Sequence, residues 1–239
     1  MAAASSSKDR PFACAVDGPA ASGKGTLARK LSEHFGLRYI DTGRLYRLVG
    51  VEAMRRKVPL DDGAAIAAVA RALDFSSPPR DDEDQQLRTD AAAQAASRVS
   101  ALPEVRAALL QAQRDFAEGV GGGGAAATAG AVLDGRDIGT VVLPHAPAKL
   151  FVTASAEVRA RRRYEELLRR SDASSSSAPS FERVLEDLRA RDARDEGRAV
   201  SPLRPAADAF VLDTTEMDAR QAFEAARAFV EERVRRAVG

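Results

Sequence analysis

Residues Gly18 to Thr26 read Gly-Pro-Ala-Ala-Ser-Gly-Lys-Gly-Thr, with Gly18 and Gly23 bracketing four residues and Lys24 directly after. Glycines let a chain curl so that successive N–H groups point inward at an anion. A helix beginning near Lys24 would add the positive end of its dipole. Lys24 can then reach the outer phosphates of a nucleoside triphosphate, where charge grows during transfer. A plain glycine turn before a helix would explain the glycines alone. Loop, lysine and a strand-then-helix context together specify a phosphate loop. The position after the lysine, where Ser or Thr usually binds magnesium, holds Gly25, with Thr26 next. No direct protein ligand to the metal is expected: magnesium is held mainly by the triphosphate and water, near Thr26 and Asp134.

Two more groups could complete such a site. Asp134-Gly135-Arg136-Asp137 directly follows the short apolar run Ala131–Leu133. A carboxylate at the end of a core strand can orient magnesium-bound water, and Arg136 can neutralise a phosphate by a forked contact. Taken alone these residues are equally a charged turn; lying on the same sheet edge as the phosphate loop favours a site. The second group follows one face of a helix in steps of three and four: Phe181, Val184, Leu188, Arg191, Asp195, Arg198. The stripe begins apolar and ends charged, as expected of a helix entering a site. A solvated Arg191–Asp195 pair is the plain alternative. Arg159, Arg161, Arg162 and Arg163 lie on another helix, and their spacing leaves open which of them faces the triphosphate.

The elements that must carry these residues alternate. Strands are expected at Phe12–Val16, Leu37–Ile40, Ala131–Leu133, Lys149–Thr153 and Ala209–Leu212. Helices are expected after Lys24, around Leu45–Glu52, at Ala64–Leu73, Thr89–Ser100, Pro103–Glu118, Ala156–Arg170, Phe181–Asp195 and Met217–Val238. Ser76–Asp84, Gly119–Gly130 and Ser171–Ser180 read as loops or linkers. This is an α/β pattern with a mostly parallel sheet and helices on both faces, whose ligands bind beyond the carboxyl ends of the strands.

Composition narrows the classes. A net charge of +1 over 239 residues leaves no footprint of a nucleic-acid binder. The one cysteine, Cys14, lies in an apolar run and reads as core. Residues 1–11 form a tail expected to be disordered, without the apolar segment of a secretory signal, and no run is long enough to span a bilayer. A cytoplasmic, monomeric enzyme is expected.

Taken together, DGPAASGKGT (17–26), DTGRLYR (41–47), AASRVSALPEVR (95–106), LDGRDIGTVVLPHAPAKLF (133–151) and RARDARDEGRAVSPLRPAADAFVLDT (189–214) resemble bacterial cytidylate kinases, within the nucleoside monophosphate kinases. The resemblance runs from Phe12 onward, in the family's order. It implies a P-loop phosphotransferase core with a five-stranded parallel sheet, an acceptor-binding insert and a helical lid. The core would be about 12–58, 101–164 and 199–239, the insert 59–100 and the lid 165–198. It further implies ATP with Mg2+ as donor, CMP and dCMP as acceptors, and no nucleic-acid or membrane partner. The loop Gly18, Pro19, Ala20, Ala21, Ser22, Gly23, Lys24, Gly25 and Thr26 would hold ATP. Arg47 and Arg136 would grip the acceptor phosphate, and Thr42, Ser97, Arg106 and Asp137 would form the base end. Arg191, Asp195 and Arg198 would close over sugar and phosphate, with Lys24, Arg136, Asp137 and Arg198 in the catalytic set. Pro59–Arg88 is shorter than the family's usual insert. A small-molecule kinase with UMP or AMP as acceptor, or a nucleotide-binding module without activity, are the rival readings.

Overall fold

Five short runs rich in β-branched and aliphatic residues pair as one parallel sheet in the computed structural model, which describes residues 11–75, 86–87, 89–120, 130–170 and 179–238. They are β1 (Ala13–Asp17), β2 (Arg38–Asp41), β3 (Ala131–Gly135), β4 (Ala148–Thr153) and β5 (Phe210–Asp213), in spatial order β2-β3-β1-β4-β5. Parallel strands are covered on both faces and so tend to be apolar throughout. Cys14, Val16, Val132, Leu150 and Val152 meet Leu27, Leu31, Ala226 and Val230 on one face. Ala15, Ala131 and Leu133 meet Ala117, Ile138 and Val142 on the other. Cys14 is fully buried, and burial first, then the nearby Asp17, pushes its thiol up to about 12, as befits an inert core residue.

The helices are α1 (Lys24–Phe35), α2 (Thr42–Arg55), α3 (Gly63–Ala72), α4 (Asp90–Val99), α5 (Pro103–Glu118), α6 (Ala156–Arg170), α7 (Phe181–Glu196) and α8 (Ala219–Val238). Their starts follow local chemistry. Asp62, Thr89 and Ser180 accept an N–H of the first turn of α3, α4 and α7, and Pro103 opens α5. Helices α2 to α5 share a separate core of Leu45, Val49, Ile66, Val99, Val105 and Leu109. A smaller one joins Ala20 of the phosphate loop to Ala160, Val184 and Leu188. Among the described residues no helix is long and apolar enough to cross a membrane.

Three details differ from expectation. β3 runs two residues past Leu133, so Asp134 and Gly135 belong to the strand rather than to a turn after it. The cause is register: Asp17 and Asp41 of the flanking strands pair with Gly135 and Asp134, which carries the ladder to the sheet edge. A π-helical turn at Ile138–Val142, which has no hydrophobic period of its own, follows it. α7 ends at Glu196 with Gly197 beyond, so Arg198 lies just past the helix. The tail before Pro11, the Ser76–Asp84 loop, and most of Gly119–Gly130 and Ser171–Ser180 lie outside the described residues.

The crossing of α2 and α4 depends on Gly50. A Cβ there would lie 2.8 Å from the Ala95 Cβ and 3.1 Å from its carbonyl carbon. Gly to Ala in an open helix gains about 1 kcal/mol, whereas overpacking costs about 1–3 kcal/mol. Gly50→Ala is therefore expected to lower stability by up to about 2 kcal/mol. Urea denaturation reads the sign, and a stabilised variant would refute the close packing.

Candidate active site

The loop 18–23 leaves the carboxyl end of the central strand β1 and enters α1 at Lys24. Gly23 caps that helix in the left-handed region, φ 86°, with no side-chain hydrogen bond to the first turn. The N–H groups of the first turn therefore keep their capacity for an external anion. The Ser22 hydroxyl is buried and has no hydrogen-bond partner, a polar atom left over inside the loop. Lys24 Nζ lies 3.3 Å from Asp134 Oδ1. Burial lowers the Lys24 pKa, helped by Arg136 and opposed by Asp134 and Asp41.

Gly25 has a spatial reason. A Cβ there would meet Asp134 Oδ2 at 2.9 Å, so the place of a Ser or Thr side chain is taken by a buried carboxylate. Tyr39 supports Asp134 by donating its hydroxyl to Oδ2 at 3.4 Å. Burial pushes the Asp134 pKa up, with Lys24 pulling against it. Thr26 is exposed and lines a separate cavity of about 310 Å³ with Ser22, Lys30, Arg162 and Thr214.

The second centre is Asp195, 1% exposed near the end of α7. Its Oδ2 accepts from Arg136 Nε at 3.0 Å, with Arg191 Nε at 4.0 Å; Oδ1 accepts from Arg198 Nη2. Burial alone would raise the Asp195 pKa, but Arg136, Arg198 and Arg191 outweigh it and hold the carboxyl below its ordinary value. Burial, then the neighbouring Arg136, brings Arg191 down to about 10. Three guanidinium groups face one carboxylate, so the cluster keeps an excess of positive charge.

Around this centre the remaining residues are tied down. Arg47 donates to Asp41 at 2.6 Å. Arg106 pairs with Asp137, donates to the Ser100 carbonyl at 3.0 Å and lies over the Tyr46 ring. Thr42 Oγ1 donates to the Asp134 carbonyl at 2.7 Å, and Ser97 Oγ accepts from Arg194 at 3.4 Å. A cavity of about 950 Å³ is lined by Asp41, Arg47, Gln94, Leu188 and Arg191 among others. Thr42, Ser97, Arg106 and Asp137 are buried and lie outside its lining; Arg106 and Asp137 engage each other, Thr42 a backbone carbonyl and Ser97 the Arg194 side chain.

Of the residues singled out by sequence, Lys24, Arg136, Arg191, Asp195 and Arg198 belong to linked charge clusters. Asp195 is buried and Arg191 half-buried, so the pair is not the fully solvated one of the plain alternative. Sequence reasoning passed over Asp17, Tyr39 and Asp41; Asp17 and Asp41 end their strands, and that position on the ligand edge was the available signal. The Asp17 carboxylate accepts the N–H groups of Ile138 and Gly139, each at 2.8 Å, and so pins the π turn to the start of the loop. No group of three or more candidate metal-ligating side chains occurs among the described residues.

A parallel sheet with a phosphate loop at its central strand and cations gathered at the same edge defines a P-loop phosphotransferase. Residues 14–232 match the family model described as cytidylate kinase, and the chain belongs to that family. A cytidylate kinase of Caulobacter vibrioides is 51% identical over 92% of this chain and 96% of its own length. One of Rhodospirillum rubrum is 54% identical over 89% and 93%. A shikimate kinase of Bacteroides thetaiotaomicron covers 94% of this chain and 98% of its own at 10% identity and a TM-score of 0.46, too loose a likeness to bear on the site.

Burial raises the Asp17 pKa from 3.8 to about 7 despite the two N–H bonds, with Asp137 and Asp134 adding to the rise. The folded state therefore binds this proton more tightly than the unfolded chain. Stability from the neutral carboxyl is full below the unfolded pKa and is lost as pH climbs from about 4 to about 7. Carbon-detected NMR titration is expected to show an Asp17 midpoint near 7. In Asp17→Ala the pH dependence of urea denaturation should flatten over that interval; an unchanged slope would refute the shift.

Proposed function

We propose that the chain transfers the γ-phosphoryl group of ATP to the α-phosphate of CMP or dCMP, releasing ADP and CDP or dCDP. Membership of the cytidylate kinase family supports the substrates. The observation that carries the chemistry is the excess of positive charge where Lys24, Arg47, Arg136, Arg191 and Arg198 face Asp41, Asp134 and Asp195. Two polyanions repel strongly, and only such a cluster lets them approach in line.

In this reading residues 18–26 hold the triphosphate, and Lys24 meets the oxygens on which charge accumulates. Arg47, Arg136, Arg191 and Arg198 hold the acceptor phosphate, and Asp195 orients the sugar and balances the arginines. The attacking group is already an anionic phosphate oxygen, so no strong general base is needed and positioning dominates. Thr42, Ser97, Arg106 and Asp137 take the base end, where donors and acceptors must match the cytosine edge. Their present bonds within the protein imply that acceptor entry exchanges internal partners for substrate. Residues 59–100 serve as the acceptor insert and 165–198 as the lid, excluding water on closure.

Asp134 suits the metal that accompanies ATP: it is a buried carboxylate at a strand end beside Lys24, positioned to orient water on magnesium rather than to replace the triphosphate oxygens. Magnesium would supply charge neutralisation across the phosphates. The reading calls on no second subunit, and a monomer acting in the cytoplasm is proposed.

Steady-state assays with CMP, dCMP, UMP and AMP are expected to give the highest kcat/KM for the cytidine nucleotides; faster use of AMP or UMP would overturn the assignment. Lys24→Ala is expected to lower kcat by about 100-fold or more with a smaller change in acceptor KM. Asp195→Ala should raise the KM for CMP or dCMP by roughly 10-fold or more, as for loss of a hydrogen bond to a charged group. Untouched acceptor kinetics in that variant would remove α7 from the acceptor site.

A further inference from the structure

Two arginines of α6, Arg159 and Arg162, turn away from its solvated face. Arg159 is buried: Nε donates to the Ala154 carbonyl at 2.9 Å, and Nη1 to the carbonyl of Ala20 in the phosphate loop at 3.2 Å. The same guanidinium makes a forked pair with Asp192 of α7, Nη1 to Oδ1 at 3.2 Å and Nη2 to Oδ2 at 2.7 Å. One turn on, Arg162 Nη1 donates to the Ser22 carbonyl at 3.4 Å, while its two terminal nitrogens donate to the Thr214 hydroxyl and carbonyl at 3.0 and 2.8 Å. Between the two held carbonyls stands Ala21, a non-glycine residue in the left-handed region at φ 59°. That conformation is costly and persists only where the surroundings enforce it.

A trans peptide unit points its N–H opposite to its C=O, and no peptide among the described residues is cis. Holding the carbonyls of Ala20 and Ser22 toward α6 therefore turns the N–H groups of Ala21 and Gly23 the other way. We infer that Arg159, fixed by Asp192 and seconded by Arg162, is a positioning residue that sets the phosphate loop in its anion-binding form. Asp192 consequently serves the donor, although its helix neighbours Arg191 and Asp195 serve the acceptor. A helix presents residues one position apart to different sides, and here those sides belong to different substrates. The inference rests on ATP as donor and a cytidine nucleotide as acceptor.

The experiment compares wild type, Asp192→Ala, Asp192→Glu and Arg159→Lys. Binding of a non-hydrolysable ATP analogue is followed by calorimetry without acceptor, beside KM values for ATP and CMP. Asp192→Ala is expected to weaken analogue binding and raise the ATP KM by about 10-fold, with the CMP KM within about twofold of wild type. Asp192→Glu should recover much of the loss. Arg159→Lys should not, because a point-like ammonium cannot serve the loop carbonyl and a forked carboxylate together. A rise in CMP KM matching that of Asp195→Ala, or unchanged donor binding, would overturn the inference. Should Asp192→Ala fail to fold, Asp192→Asn is read by the same criteria. Failure of the wild type to bind the analogue or to use CMP would instead sink the parent reading, and this inference with it.

Discussion

Guanidinium groups repel one another, yet Arg136, Arg191 and Arg198 converge on the single carboxylate of Asp195. That balance constrains everything around it. The carboxylate must be buried to act on all three, which is why α7 is amphipathic for its first half and charged on the same face thereafter. The cluster must also reach the strand ends, and Arg136 provides that link from the turn after β3. One carboxylate cannot neutralise three cations, and in the proposed reaction the acceptor phosphate would complete the balance. An ordinary interior would reject such a group of charges; here the excess is what a phosphate-handling site requires.

The carboxyl edge of the sheet repeats this pattern on a smaller scale. Asp41 and Asp17 end the strands on either side of β3, Asp134 is the last residue but one of β3, and each has a different task. Asp41 restrains Arg47, Asp134 faces Lys24 beneath Gly25, and Asp17 holds two backbone N–H groups of the π turn. Three carboxylates so close would repel if all were equally ionised. The pKa of Asp17 rises to about 7, whereas Arg47 and Lys24, acting against burial, bring that of Asp41 below its ordinary value. Environment separates residues of one type into distinct roles.

Much of this was legible from residue order. The phosphate loop rests on local spacing, and Gly36, in the left-handed region at φ 64°, ends α1 where the apolar period stops. The Val184–Leu188–Arg191–Asp195 face was legible because a helix repeats every three to four residues. Arg198 belonged to that face only if the helix continued to it; Gly197 closes the helix first, and the side chain returns to Asp195 from outside. The arginines of α6 could not be sorted, because their partners at Ala20, Ser22, Asp192 and Thr214 are remote in sequence. Asp134 was placed just after the strand rather than within it because the strand's last pairs depend on neighbours more than ninety residues away, a separation no local window contains.

The strand order has a consequence for how the protein comes into being. β1 occupies the middle of the sheet, but its two neighbours, β3 and β4, begin only at Ala131 and Ala148. A nascent chain emerging from the ribosome thus presents its phosphate loop long before either flanking strand exists to hold it. Long-range parallel pairing is slow to form, and unpaired strand edges invite association with other chains. The helical cluster of α2 to α5 lies between them in sequence and has its own core, so it can condense first as a local unit. Final assembly of the sheet then waits for β5 at Phe210–Asp213, which makes the nucleotide-binding edge among the last parts of the molecule to mature.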